Sequence, residues 1–304
     1  MFLSVYGHVN LDLILNLPKF PEPNTSTEII DSQRYFGGTA GNIARISATL
    51  GTPLHLVSYV GKNFPDDYRT ALLDSGADLT YLEKVEEHHT PTCWIMSDCD
   101  HNQIAIMDQG PMKVLESFEP VHEPIVGSEI IHIATGRPGF YLKVAQLAKK
   151  AGKTIAFDPA QEIHYVYTPE TFRELLPYAD IFFCNEAEGK RALEYTNKTE
   201  LSDLLEYVDT IIQTLGKDGS RIITRNGEVT IPGVYVENPV DTTGAGDAYR
   251  AGFYAALFRG FSMEIAGSAG AITAAEVIKV AGGQTNIPSW EFILTSLREM
   301  GHDV

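Results

Sequence analysis

Five short runs, FLSVYG, LHLVSYVG, EIIHIATG, KTIAFDP and DIFFCN, are rich in β-branched and aromatic residues and close on turn residues. Between most of them lie stretches with helical spacing: NIARISATLG, YRTALLDSGA, YLKVAQLAKKAG, TFRELLPYA and EGKRALEYT. Strands that are apolar along their whole length leave no face for water. Alternating with helices, they predict an α/β fold with a mainly parallel central sheet covered by helices on both sides. In such sheets ligands gather beyond the carboxyl ends of the strands. The residues just after the runs are therefore the first site candidates: Gly136 and Arg137, Asp158 and Gln161, Asn185 and Glu188.

Two pieces break the alternation. Residues 12–35 read as two strands split by a Pro-rich loop, and 90–107 as a hairpin turning near Asp100. Together they predict a small separate sheet, either a lid that excludes water from a site or an ordinary surface hairpin. A further hairpin, SRIITRNGEVTIP, carries an Asn226-Gly227 pair suited to a two-residue turn. No linker or repeat divides the chain, so 304 residues and an apolar fraction of 44% are expected to form one domain, 1–304, with the lid at about 12–35 and 90–107.

A net charge of −17 argues against nucleic acid as a partner, since its phosphates need a basic face. The same field makes a bound polyphosphate hard to hold without backbone dipoles and a divalent cation. Cys93, Cys99 and Cys184 have no metal-ligand spacing, and Asp100, Cys99 and His101 share one turn too short to form a metal site. The start, MFLSVYGHVN, lacks a signal-peptide pattern, and no run reaches membrane-span length. The expectation is a cytoplasmic protein with no membrane partner.

VDTTGAGDAYRAGF, from Val240, opens a helix with almost no side chains and then places a carboxylate in its first turn. Gly244, Ala245 and Gly246 let a ligand approach the backbone, and free N–H groups at a helix start bind anions. Asp247 beside that site would compete with the anion if it were only a cap. As a general base it can take a proton from a hydroxyl attacking phosphorus.

DTTGAGDAYRAGFY resembles the second signature of the ribokinase-like (PfkB) family of carbohydrate kinases, and GGTAGNIARISATLGTPLHLVSYVG resembles the first. The likeness spans nearly the whole chain. It implies a ribokinase-like fold, Asp247 as catalytic base, and the Gly244, Ala245, Gly246 and Asp247 backbone as anion hole. It also implies ATP as phosphate donor and Mg²⁺ as cofactor. CNEAE is similar to the family's Asn-x-x-Glu element, which puts Asn185 near the triphosphate and Glu188 near Mg²⁺ through water. TLGKDGS resembles the nucleotide-binding turn, with Thr214, Gly216 and Gly219 along ATP. AGGQTNIP falls where the family closes around adenine. Asp241, Thr243 and the 282–286 loop match the family's monovalent-cation region, which not every member uses.

On the acceptor side, GHVNLDLI resembles the family's first strand followed by a sugar-binding aspartate. The likeness implies that Asp12 accepts hydrogen bonds from vicinal hydroxyls, while Gly38 and Asn42 hold the same sugar. FPEPNTS, HIATGxPxF, FDPxQ and QTNxPxW look most similar to archaeal nucleoside kinases of the family. The expected reaction is transfer of the γ-phosphoryl group of ATP to the 5′-hydroxyl of a ribonucleoside. Gln103 and Gln161 are candidates to read the base, and Trp94, Tyr35 or Phe36 to pack on it, although at least two of these aromatics are expected in the lid core. Arg137, at a strand's ligand end, leaves a phosphofructokinase reading open beside ribokinase and fructokinase. A nucleoside-binding regulator is the reading outside enzymes. His8 and His132 are expected buried and hydrogen-bonded, and His88, His89 and His101 in loops. An exposed edge on the lid sheet would be protected by pairing lids in a homodimer.

Overall fold

A computed structural model describes residues 1–100 and 102–304; the His101 reading lies outside the described residues. In chain order the strands are β1 (Leu3–Tyr6), β2 (Asn10–Leu17), β3 (Asp31–Gly37), β4 (Leu54–Gly61), β5 (Leu82–Val85), β6 (Thr92–Asp98), β7 (Gln103–Asp108), β8 (Ile130–Ile133), β9 (Thr154–Phe157), β10 (Ile181–Asn185), β11 (Thr210–Thr214), β12 (Ser220–Thr224) and β13 (Gly227–Ile231). The helices are α1 (Thr39–Thr49), α2 (Asp66–Asp74), α3 (His122–Val126), α4 (Pro138–Lys150), α5 (Pro169–Leu175), α6 (Glu186–Thr196), α7 (Ala245–Phe258), α8 (Met263–Val277) and α9 (Trp290–Glu299).

Nine strands form one sheet in the order β13-β12-β11-β10-β9-β8-β1-β4-β5. Every neighbouring pair from β11 to β5 runs parallel, and β12 and β13 finish the sheet antiparallel. Strand alternation sends side chains to two separate cores. Ile181 and Phe183 of β10 join Leu3, Val5, α1, α7 and α8 on one face. Phe182 and Cys184 join Ile131, Ile133 and the α4 and α5 residues Phe140 and Phe172 on the other. Because both faces are covered, the strands are apolar throughout, which is the pattern legible in the sequence.

Helix α8 is built from small residues so that it can lie close to α7. A Cβ on Gly252 would stand 2.6 Å from the Ala269 carbonyl, and one on Gly270 2.7 Å from the Tyr249 carbonyl. Close packing of that kind tolerates no added methyl group without a shift of backbone. This fixes where the start of α7 points.

The two pieces outside the alternation do form a second sheet, ordered β3-β2-β6-β7. Its central pair, β2 and β6, is parallel, and the outer pairs are antiparallel. The β12–β13 hairpin differs from expectation by one position. Thr224 pairs with Gly227, so the two loop residues are Arg225 and Asn226, and Gly227 opens β13 with φ 133°. The Thr224 hydroxyl accepts the Asn226 N–H at 3.2 Å, a local side-chain bond that forms the turn without a positive φ at either loop residue. Among the described residues no helix is long and apolar enough to cross a membrane.

Candidate active site

The carboxyl ends of β1, β8, β9, β10 and β11 deliver His8, Thr135, Asp158, Asn185 and Thr214 to one rim of the large sheet. The N-termini of α1 and α7 reach the same rim. Gly244 is the N-cap of α7 and holds the left-handed conformation, φ 75°, that lets the chain turn sharply into the helix. A Cβ there would lie 2.9 Å from the Gly283 Cα and 3.3 Å from Asn42 Nδ2. The backbones of Gly244 and Gly283 thus meet directly, with the Asn42 side chain packed against both. Among the described residues, the N–H groups of Gly246 and Asp247 make no backbone hydrogen bond, as expected for a first helical turn.

Asp247 is the carboxylate of that turn. Its Oδ2 accepts a bond from Asn42 Nδ2 at 2.7 Å. Asn42 Oδ1 in turn accepts from Gln284 Nε2 at 2.7 Å, and the same amide nitrogen lies 2.7 Å from the Tyr68 hydroxyl, which donates to the Gly37 carbonyl at 2.7 Å. A relay of fixed dipoles therefore holds the carboxylate from α1 and α2. Burial pushes the Asp247 carboxyl up to about 7, against the bond from Asn42 and the charge of Arg250, which favour ionisation. A carboxylate tuned to that range suits a base working near neutrality.

Asp12 comes from β2 of the small sheet. Asn10 donates to its Oδ1 at 2.6 Å, and burial, the largest effect, raises its carboxyl to about 6. Gly37 leaves it room, since a Cβ at Gly37 would stand 2.1 Å from Asp12 Oδ2. Gly38, φ 90°, caps α1, where the His8 carbonyl and Asn10 Oδ1 would crowd any side chain. His8 is buried and bridges Thr135 (Nδ1, 2.8 Å) to Gln109, whose own amide donates to Glu162 at 3.1 Å. Asp12, Asn10 and this chain line one side of the rim.

Beneath Asp247 lies a buried ion pair. Arg250 Nε donates to Asp158 Oδ2 at 2.7 Å and Nη2 to Oδ1 at 3.2 Å, with both residues under 5% exposed. His132 is buried beside them, Nδ1 2.7 Å from the Tyr254 hydroxyl, and burial lowers its pKa to about 4.

On the β10 side, Asn185 caps α6 and Glu188 completes a capping box. The Asn185 N–H donates to Glu188 Oε2 at 2.7 Å, and the Glu188 N–H to Asn185 Oδ1 at 2.9 Å. Glu188 is buried rather than on the solvent side of its helix, and burial, then the nearby Asp158, raises its carboxyl. Asn185 and Thr214 are register partners across β10 and β11. Gly216 and Gly219, both at positive φ, fold the turn after β11, and a Cβ at Gly219 would strike the Ile231 carbonyl. Asp241 accepts the N–H groups of Thr243 and Gly282, each at 2.9 Å, tying the α7 approach to the 282–286 loop. Among the described residues no three His, Cys, Asp or Glu side chains form a cage for a metal ion.

The sequence model of the pfkB family of carbohydrate kinases matches residues 2–290. The chain belongs to that family. A nucleoside kinase of Methanocaldococcus jannaschii is 38% identical over 298 residues, 98% of this chain and 97% of the relative. A nucleoside kinase of Methanothermobacter thermautotrophicus is 36% identical across 94% of this chain and 92% of its own length. The crystal structure of the M. jannaschii nucleoside kinase superposes with a TM-score of 0.92, covering 98% of this chain and 99% of that one. A Burkholderia thailandensis nucleoside kinase in complex with inosine, 25% identical, gives 0.87 over 98% and 96%. The fold is ribokinase-like α/β.

Within this pfkB-family chain the two glutamines chosen from sequence do not join the Asp12–Asp247 group. Gln103 is exposed at the far end of the small sheet, its amide 3.4 Å from Ser97 Oγ, four positions along the strand from the partner of Cys93. Gln161 is exposed on a short 3-10 turn, and its neighbour Glu162 takes the buried position. Among the aromatics, Phe36 stacks on Tyr68 (centroids 4.3 Å apart), and Trp94 pairs with Leu13 and Ile106 on the face of the sheet opposite Asp12 and Cys93. Tyr35 lies against Gly282. Arg137 is half-buried at the N-cap of α4, within electrostatic reach of Tyr165. Gln109, Glu162, Tyr68 and Gln284 were missed because their partners lie between 31 and 242 residues away in sequence.

Proposed function

We propose that this chain is an ATP-dependent nucleoside kinase that phosphorylates the 5′-hydroxyl of a ribonucleoside. The observation that carries the reading is Asp247, tuned to about 7 and held by Asn42, in a helix turn whose Gly246 and Asp247 N–H groups are open. Asp247 takes the hydroxyl proton as the oxygen attacks the γ-phosphorus. The new O–P bond forms while the bond to the departing ADP breaks, and the Gly244–Asp247 N–H groups receive the charge on the transferred group. Asp12 accepts from the ribose hydroxyls, with Gly38 and Asn42 opposite. Asn185, Thr214, Gly216 and Gly219 lie along ATP. The relatives at 36–38% identity and the inosine-bound structure support a nucleoside as acceptor.

Mg²⁺ fits this site as an ion held mainly by phosphate and water. On the triphosphate side Glu188 has Oε2 engaged by the Asn185 N–H, so Oε1 would be the oxygen to hold a metal-bound water. Such an ion neutralises triphosphate charge in an acidic protein. Asp241 and Thr243, with the 282–286 loop, are the candidate monovalent-cation region. The whole chain, 1–304, acts as one domain whose small sheet, about 12–35 and 90–107, is the lid. The lid's outer face carries Leu13, Trp94, Met96, Ile104 and Ile106, with Ile104 and Ile106 45% and 54% exposed. Apolar residues on an open-edged sheet support a homodimer joined lid to lid. An ATP requirement fits a cytoplasmic enzyme.

A coupled assay across ribonucleosides, 2′-deoxynucleosides, ribose, fructose and fructose 6-phosphate tests the reading. Ribonucleosides should far exceed the free sugars, and EDTA should abolish turnover until Mg²⁺ is restored. Loss of one ribose hydroxyl facing Asp12 should lower kcat/KM by roughly ten- to a hundredfold, the cost of a bond to a charged group. Asp12→Ala should shrink that gap. Fructose 6-phosphate as best acceptor, lost in Arg137→Ala, would sink the nucleoside reading.

A further inference from the structure

Arg250 sits one turn into α7 and is 4% exposed, an unusual place for a guanidinium three residues from a catalytic base. Its side chain runs back toward the helix start. Nη1 donates to the Gly246 carbonyl at 3.1 Å, and a Cβ at Gly246 would come within 3.0 Å of that nitrogen. The bidentate grip of Asp158 fixes the plane of the fork, and the ring of Phe183 lies 5.1 Å below it. Burial works against the charge, but Asp158 first, then Glu188 and Asp247, more than offset it and hold the arginine above its ordinary value. Arg250 is thus a cation shared by three carboxylates from three different elements.

We propose that Arg250 is a positioning residue for phosphoryl transfer: clamped by Asp158, it pins the Gly246 carbonyl and so the direction of the first-turn N–H groups, and supplies fixed positive charge beside Asp247. A peptide unit is planar, so fixing the Gly246 carbonyl also fixes the Asp247 N–H on the other end of the same unit. That N–H is one of those left open for the transferred group. Arg250 needs no contact with substrate to do this, and Asp158, from the end of β9, ties the helix start to the sheet. The remaining groups around Asp247 are Asn42 from α1, Asp12 from β2 and Asp158 itself. Tyr68 and Gln284 act through Asn42, and His132 and Tyr254 lie beyond Asp158. Of these only Arg250 brings positive charge to the carboxylate.

The inference rests on Asp247 as the base, so its test has one arm that needs no substrate. In ligand-free protein labelled with ¹³C-aspartate, the Asp247 carboxyl is assigned by its loss in Asp247→Asn and titrated. Arg250→Met should raise its midpoint by about one pH unit or more, the effect of losing an opposite charge nearby. Asp158→Asn, which removes a negative neighbour but keeps an acceptor for Arg250, should lower it. Opposite shifts identify a fixed charge; shifts in the same direction mean general loosening and overturn the proposal. In steady-state kinetics Arg250→Met should lose kcat on the order of 10- to 100-fold, with the nucleoside KM within about threefold, as for a group acting on transition-state donors. Arg250→Lys should recover part of that loss. A folded Arg250→Met protein with wild-type kcat and an unmoved midpoint overturns it. If Arg250→Met does not fold, the Asp158→Asn midpoint decides alone: downward supports the proposal, and unchanged or upward refutes it. An unexpected acceptor in the assay above would refute the nucleoside reading while leaving this titration intact.

Discussion

The carboxyl of Asp247 carries two consequences that pull in opposite directions. As the proposed base it must be ionised to act, so kcat should rise with pH through about 7 and fall away on the acid side. Stability runs the other way. The folded value near 7 lies above the ordinary value of 3.8, so the folded state binds the proton more tightly than the unfolded chain. This group therefore costs stability as pH rises from about 4 through 7. Asp247→Asn keeps an oxygen to accept from Asn42 and has no charge to desolvate. It should lose roughly 10²–10⁴-fold in turnover, the usual share of a general base, while its thermal midpoint at pH 8 stays level or rises. A variant that loses stability and activity together would contradict both statements. Residues of this kind were legible because their neighbours in sequence are their neighbours in space. Gly244 to Asp247 and Gly38 to Asn42 are short contiguous segments. Arg250 and Asp158 lie 92 residues apart and become a pair only when β9 and α7 meet.

At the level of elements, the capping box of α6 separates two roles that one residue holds. Asn185→Ala removes the acceptor for the Glu188 N–H, and should cost about 1 kcal/mol of stability by denaturant titration, typical for an N-cap. Glu188→Gln keeps an oxygen for the Asn185 N–H and removes a carboxylate whose ionised form burial penalises. Its stability should hold, and its Mg²⁺-dependent turnover should fall. The small sheet supplies the second test at this scale. Ile106→Lys puts a charge in the middle of the exposed apolar face, and on the proposed lid-to-lid pairing sedimentation should show a dimer for the parent chain and a monomer for the variant. Strand alternation explains why Gln103, chosen from sequence as a base contact, lies at the far end of the small sheet from Asp12 and Cys93. The period of two tells which side of a sheet a residue occupies, but not how far along the strand the ligand reaches. The one-residue shift in the β12–β13 turn has the same origin, since local bonding by Thr224 competes with the Asn-Gly preference.

For the whole molecule, a charge of −17 and a polyphosphate substrate are reconciled by geometry rather than composition. The sheet's carboxyl ends, the open N–H groups of Gly246 and Asp247 and the buried Arg250 guanidinium meet at a single rim, where that guanidinium offsets the charge of Asp158, Glu188 and Asp247. The parallel sheet and its helical cover were readable from the alternation of apolar runs because that pattern is repeated along the chain. The pairing of the four-stranded sheet was not, as β2 and β6 are parallel partners with about 80 residues between them, and nothing local specifies that register.

The relay from Gly37 through Tyr68, Gln284 and Asn42 to Asp247 also has a history in time. Its hydrogen bonds join residues 31, 216, 242 and 205 positions apart. On a ribosome, β1, β4, β8, β9 and β10 can be laid down side by side long before residue 247 is made, and residue 284 comes later still. Contacts of such separation form late, after the entropy of closing very long loops has been met. A nascent chain therefore acquires most of its sheet while the proposed base, Asp247, and the Gln284 amide behind Asn42 are still absent, so the site is among the last parts of the molecule to be completed.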